Sequence, residues 1–334
     1  MTIINGIEID IALPSQDTTR VAILNNYKIE DKLHVIAVIS NPCQYARRYI
    51  LAREFIKRME QEESVILYVV ELAYWDQKYY ITEKGNKRHL QLRGSVPLWH
   101  KENMINLGVR KLLPSTWRAF AWIDADIEFE STTWASDALK LLNGSKDIIQ
   151  LFSHAVDMDQ KKDAMSIFPS FGFQYSKGSA YGKSGINMWH PGFAWACTRK
   201  AYEKMGGLYE KSILGAGDHN MALSFIENGL KSLNENTTQD YKDSVVEFEK
   251  RVQALRLGYV PGVIRHYFHG SKKNRKYSER WKILVDTQYS PNLHVTYDKQ
   301  GLLISTAACP KRLLMDIMAY FSERNEDEFF TSSS

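Results

Sequence analysis

The chain has 334 residues, 44% hydrophobic and 25% charged, as expected of a globular protein with one large domain or two modest ones. Lys plus Arg number 43 and Asp plus Glu 39; this net charge of +4 permits a phosphate-bearing ligand without demanding nucleic acid. The chain lacks an apolar run of about 18 residues and a basic, apolar leader, and Cys43, Cys197 and Cys309 are too scattered for a disulfide framework or a zinc site; no membrane span or secretory signal is expected, and the thiols read as reduced in a cytoplasmic protein.

Residues 1–32 are weakly patterned and read as an N-terminal arm. Leu33–Ile39 is an apolar, β-branched run closed by Ser40-Asn41-Pro42, the pattern of a buried parallel strand and its loop. Residues 45–61 carry apolar side chains at helical spacing. Val65–Val70 and Leu90–Arg93 read as further strands, 98–111 as a helix, and Ala119–Ile123 as another buried strand that stops at Asp124. Strand and helix alternating in this way predict an open α/β sheet, whose ligands sit at the carboxyl ends of the strands. Farther on, 153–192 reads as loops lining a cleft. Residues 199–206 and 217–230 read as helices, 234–256 as a surface helix behind a loop, and the tail from Glu323 as frayed.

Four stretches could carry chemistry. Asp124-Ala125-Asp126 places two carboxylates at a strand end, where Mg²⁺ or Mn²⁺ could bind with substrate phosphates; the plain alternative is a helix cap or two solvated acids. His190-Pro191-Gly192-Phe193-Ala194-Trp195 is followed by Gly215-Ala216-Gly217-Asp218-His219. A carboxylate on such a glycine-rich turn can serve as a general base, or simply cap the helix it opens. His266 and His269 precede Lys272, Lys273, Arg275 and Lys276, which offers a nitrogen ligand beside phosphate-binding cations; a basic surface face is the alternative. Lys101, Asn103 and Asn106 lie on one helix just before the Asp124 strand, within reach of a nucleotide if the helix is more than an ordinary amphipathic one.

In this order the stretches resemble one family, the inverting glycosyltransferases of the GT-A type, particularly the β-1,4-galactosyltransferase and polypeptide sugar transferase group. The residues that carry the resemblance are Met104–Gly108, Asp124–Asp126, Gly192–Trp195, Gly215–Asp218 and His269-Gly270, within a span of roughly 33–280. The resemblance implies a Rossmann-like mixed sheet with flanking helices. It implies a catalytic domain over 33–290, with a nucleotide-binding half (33–130) and an acceptor half (131–290), and a C-terminal extension over 291–334. It implies a metal-dependent transfer of a sugar from a nucleotide-diphosphate sugar, a UDP-sugar by preference, with inversion. Asp126 and His269 would hold Mn²⁺ or Mg²⁺, with His266 competing for the second place and Asp124 touching the ribose, a metal-bound water or the metal. Asp218 would be the base. Ser40, Asn41, Tyr45, Lys101, Asn106, Lys272 and Arg275 would face the donor, and Trp189, His190, Gly192, Trp195 and His219 the acceptor. The turn at 215–219 departs from the family in lacking its Trp and its paired Glu-Asp.

The expected acceptor is a saccharide; a hydroxylated DNA base is the alternative, on the strength of the Lys272–Lys276 run. His269-Gly270-Ser271-Lys272 is also similar to a loop of retaining enzymes. Two rivals are a non-catalytic sugar- or nucleotide-binding protein and a nucleotidyltransferase, though Ser40-Asn41-Pro42-Cys43-Gln44 has none of the glycine that the latter needs after its first strand.

Overall fold

The computed structural model describes residues 2–4, 7–9, 31–182, 188–276 and 279–328. It opens with two short strands, β1 (Thr2–Ile4) and β2 (Ile7–Ile9), paired antiparallel. The remainder of the expected arm, 10–30, lies outside the described residues.

Three apolar runs make the centre of the molecule. They are β3 (Leu33–Ser40), β4 (Val65–Tyr74) and, after β5 (His89–Gly94), β6 (Ala119–Ile123). Successive side chains on a strand point to opposite faces, so each strand feeds two cores. Ile36, Tyr68, Val70 and Phe120 fall in one cluster, and Val35, Ala37, Val69 and Ala121 in the other. The helix Ala46–Gln61 covers the second face through Ala52, Phe55 and Met59, and the helix Lys101–Leu112 covers the first through Met104, Ile105 and Leu107.

The remaining strands are β7 (Ile127–Phe129), β8 (Ile148–Gln150), β9 (His154–Met158), β10 (Ala164–Pro169), β11 (Ala194–Thr198), β12 (Leu257–Tyr259), β13 (Val263–His266), β14 (Val295–Tyr297) and β15 (Leu303–Ser305). Among the described residues the main sheet runs β12-β8-β11-β6-β3-β4-β5, and β11 alone is antiparallel to its neighbours. A second sheet runs β10-β9-β13-β7. This is the Rossmann-like mixed sheet with flanking helices that the sequence predicts. The chain builds outward from β3 to β5, then returns to lay β6 on the other side of β3. That reversal is a topological switch point, and a crevice opens there beyond the carboxyl ends of β3 and β6.

Three expectations change. Residues 153–192 hold β9, β10 and the helix Phe171–Ser176, because Ala155, Met158, Phe168 and Phe171 are core residues rather than loop residues. The helix expected over 217–230 ends at Ser224, and a 3₁₀ turn follows at Gly229–Ser232. The tail is not frayed where it is described. The helix Lys311–Glu323 buries Leu313, Ile317, Tyr320 and Phe321 in the main core, and Arg324 and Glu326 are buried just after it; 329–334 lie outside the described residues. No described helix is long and apolar enough to cross a membrane.

Candidate active site

Strand register gathers the site. β6 ends at Ile123, which faces Ala194 at the start of the reversed β11, so the His190–Phe193 segment arrives beside Asp124. Phe193 is held at φ 79°, an unusual conformation for a bulky residue, and its carbonyl accepts the Asp124 N–H at 2.8 Å. At the other side β13 ends at His266, directly opposite Ile127 and in register with Asp157 of β9. His266 therefore falls next to Asp126.

The crevice is a cavity of about 860 Å³. Ser40, Lys101, Asp124, Asp126, Trp189, His190, Gly192, Asp218, His219, His266, His269, Lys272 and Arg275 all line it. Four other expected site residues do not. Asn41 turns back on the Tyr45 backbone, and the Tyr45 hydroxyl donates to the carbonyls of Phe321 and Ser322. Asn106 donates to Leu208 O and Glu210, and accepts from the Leu208 N–H. Trp195 is buried, with its indole N–H on Pro191 O. These side chains hold the scaffold together, and their residue types alone do not distinguish that role from ligand binding.

On one wall, Lys101 pairs with Asp124 at 2.5 Å. Burial works against the lysine's charge, but Asp124, Asp218 and Glu102 hold its ammonium above the usual lysine range. Burial pushes Asp124 up to about 6 even so, and Glu102 up to about 8. Asp218 follows Gly217 at the start of the helix Gly217–Ser224, as expected. Burial would raise its carboxyl, but Lys101, His190 and Arg280 outweigh burial and keep it below the usual range. A Cβ on Gly192 would stand 3.0 Å from Asp218 Oδ2, so a small residue is needed there for the loop to pass.

On the other wall, His269 Nε2 lies 3.0 Å from Asp126 Oδ2 and 3.2 Å from His266 Nε2, and Arg275 Nη2 lies 3.0 Å from the same nitrogen. Asp157 accepts from His266 Nδ1 at 2.7 Å and also pairs with Lys272. Burial lowers the His266 imidazole below its usual value. An ionised carboxylate can only accept, so Nδ1 carries a proton and Nε2 is the nitrogen turned toward Asp126 and His269. Burial alone would raise Asp126, but His269, His266 and Arg275 hold it far below the carboxylate range.

The residues present fit a cation. Asp126 Oδ1 is buried without a partner. One ligand atom each from Asp126, His266 and His269 lies within 4.8 Å of the others. Acceptors converging in this way attract a divalent ion, and the carboxylate behind His266 fixes its tautomer as in many metal sites. Two imidazoles favour Mn²⁺ over Mg²⁺, which prefers oxygen.

At the β3 end, a buried relay fixes the direction of a hydrogen-bond chain. His100 Nε2 lies 2.8 Å from Leu303 O, which can only accept, so Nε2 donates; burial takes this histidine down to about 4 and leaves it neutral. Nδ1 then accepts from the Tyr74 hydroxyl at 3.1 Å, and the Tyr74 oxygen accepts from Ser40 at 2.9 Å. Ser40 is left offering lone pairs.

Sequence reasoning missed Arg48, Glu102, Asp157, Arg324 and Glu326. Asp157, an acid set between Val156 and Met158 in the strand His154–Met158, was the one with a local signal.

No protein-family model matches the chain, and no curated protein does. Among solved structures it is similar to a mutant Drosophila β-1,4-galactosyltransferase 7 in complex with manganese, UDP-Gal and xylobiose. The identity is 9% over 83% of this chain and 95% of that one, with a TM-score of 0.38. It is similar to a protein from Desulfovibrio desulfuricans described as a nucleotide-diphospho-sugar transferase, at 10% identity over 88% and 99% of the two chains and a TM-score of 0.34. It is also similar to a Bacillus anthracis protein described as a glucose-1-phosphate thymidylyltransferase, in complex with sucrose. Here the identity is 9% over 80% and 98%, with a TM-score of 0.34. The fold rests on the chain's own strand order.

Proposed function

We propose that the chain is a metal-dependent glycosyltransferase that moves a sugar from a nucleotide-diphosphate sugar, a UDP-sugar by preference, to a saccharide hydroxyl with inversion. The observation that carries this reading is the Asp126 carboxylate, with Oδ1 buried and unpartnered and Oδ2 beside His266 and His269, in a crevice where Lys and Arg outnumber carboxylates. The same donor set occurs in iron oxygenases, but Lys101, Lys272 and Arg275 around it suit a diphosphate.

Asp126, His266 and His269 would hold Mn²⁺, which supplies positive charge against the departing diphosphate. Lys272 and Arg275 bind phosphate oxygens, and Lys101 orients Asp124 toward the donor. Ser40 presents an acceptor, which suits a base with a ring N–H, as in uracil. Asp218, kept ionised at neutral pH, takes the proton of the acceptor hydroxyl as its oxygen attacks the anomeric carbon from the face opposite the diphosphate. Trp189, His190 and His219 shape the acceptor side.

Within the Lys272–Lys276 run, Lys272 and Arg275 line the crevice on the donor side, while Asn274 is engaged by Glu328 and Lys276 by Glu323, which favours a saccharide over a DNA acceptor.

The test is a panel of nucleotide sugars with and without Mn²⁺, read by thermal shift and by turnover. One nucleotide class should stabilise the protein in the presence of Mn²⁺ and be consumed. A protein that binds but never turns over a donor would be the non-catalytic rival, and no Mn²⁺-dependent binding of any of them would overturn the reading. NMR of the product's anomeric proton separates inversion from retention.

A further inference from the structure

Each histidine of the triad has a second ring nitrogen that must be held if the first is to point at a cation. For His266 the holder is Asp157, one strand away. For His269 the carboxylate on the Nδ1 side is that of Glu326, whose Oε2 lies 3.8 Å away, an ion-pair distance rather than a hydrogen bond.

Glu326 is an unusual residue to find there. Its side chain is 1% exposed, and a buried carboxylate persists only when it is paired. Arg48 grips it with both Nε, at 2.9 Å, and Nη2, and Arg324 Nε donates to it at 2.8 Å. The backbone around it is seated just as firmly. Gly270, at φ +87°, lies so close that a Cβ there would meet the carbonyls of Arg324 and Asn325 at 3.1 Å. Asn274 donates to Glu328 at 2.7 Å, and the Tyr320 hydroxyl donates to Arg275 O at 3.1 Å. From Gly270 to Arg275 the loop that carries His269 is thus tied to the last helix and the segment that follows it.

We infer that Glu326 is a positioning residue for His269, and that the chain beyond the last helix acts on the metal site through this one side chain. The inference rests on the metal reading above. It makes the two histidines equivalent in design: each ring is backed by a carboxylate from another element, one in the sheet and one beyond the C-terminal helix. A merely structural Glu326 would serve only to neutralise Arg48 and Arg324.

Two substitutions separate these roles. Glu326→Asp keeps the charge for both arginines but draws the carboxylate back from His269, and Glu326→Gln removes the charge. Asp327→Asn is the control: Asp327 accepts the N–H groups of Ala46 and Arg47 and docks the same segment without touching His269. Mn²⁺ affinity is read from the electron paramagnetic resonance of the free ion, well below each variant's melting temperature. Both Glu326 variants should weaken Mn²⁺ by about 10–100-fold, as loss of a carboxylate behind a ligand does elsewhere, and Asp327→Asn by less than about threefold. Should Glu326→Gln fail to fold, Glu326→Asp decides. Parental affinity in Glu326→Asp would overturn the inference alone, as would an equal loss in Asp327→Asn. A parent that binds no Mn²⁺ would sink the metal reading and this inference with it.

Discussion

Asp124 and Asp126 stand two residues apart on one turn, yet their surroundings treat them in opposite ways. Asp124 faces a wall of Lys101, Glu102 and Asp218, where burial pushes it up to about 6. Asp126 faces His266, His269 and Arg275, which overcome burial and hold it far below the carboxylate range. Two carboxylates whose environments drive them apart are equipped for different work. Asp126 is the permanent anion that a cation needs. Asp124 belongs to a shared network of two further acids and one lysine, where protons and a substrate can be exchanged. The lesson is that an Asp-x-Asp sequence does not by itself define a ligand pair; the strands and loops packed on each side decide which acid does what.

The sharpest break in this comparison is Asp126→Ala. It should end Mn²⁺ binding and lower transfer by at least about a thousandfold, the scale of several kcal/mol of charge stabilisation. Asp124→Asn should leave Mn²⁺ affinity within a few-fold while transfer falls; equal loss of metal in the two variants would collapse the distinction. Next comes Asp218→Asn, with an expected drop of about 10²–10⁴ in kcat and unchanged Mn²⁺ binding, measured in steady-state assays. If most of the turnover survived, the base would have to be sought elsewhere.

Asp157→Asn tests the metal wall more gently. Mn²⁺ should bind about 10–100-fold more weakly because His266 loses the partner that fixes its tautomer, and titration calorimetry would show it. The smallest effect concerns Glu102. Its folded pKa of about 8 lies above the ordinary value of 4.5, so between these limits the folded state holds a proton that the unfolded state has lost. Stability should therefore fall as pH rises from about 5 to about 8 and level off above. Glu102→Gln removes this slope, so its melting temperature should gain on the parent by a few degrees between pH 5 and pH 8. Parallel melting curves at both pH values would show that the wall does not store a proton there.

Much of this was legible in the sequence. Leu33–Ile39, Val65–Val70 and Ala119–Ile123 announced themselves because strands buried on both faces need unbroken apolar runs. Asp124, Asp126, His266, His269 and Asp218 could be read because they sit where those runs stop or where glycines turn the chain. The direction in which a side chain points was not legible. Asn41, Tyr45 and Asn106 have ligand-like chemistry, but their polar atoms close local turns and interhelical contacts. Nor could Arg48, Arg324 and Glu326 be paired, since a charged residue far along the chain carries no local mark of the partner that will bury it.

That pairing bears on how the molecule assembles. Arg48 and Glu326 are separated by 278 residues. Closing a loop of that size costs an entropy worth about 5 kcal/mol beyond a constant, and it brings no return until both ends are in place. The β3–β4 pair and the helix Ala46–Gln61 are local by comparison and form without it. The place where a cation would sit is thus completed by one of the longest-range contacts in the chain. During refolding, helix and sheet signals should return before the capacity to bind Mn²⁺ does, so that metal uptake reports the closing step of folding.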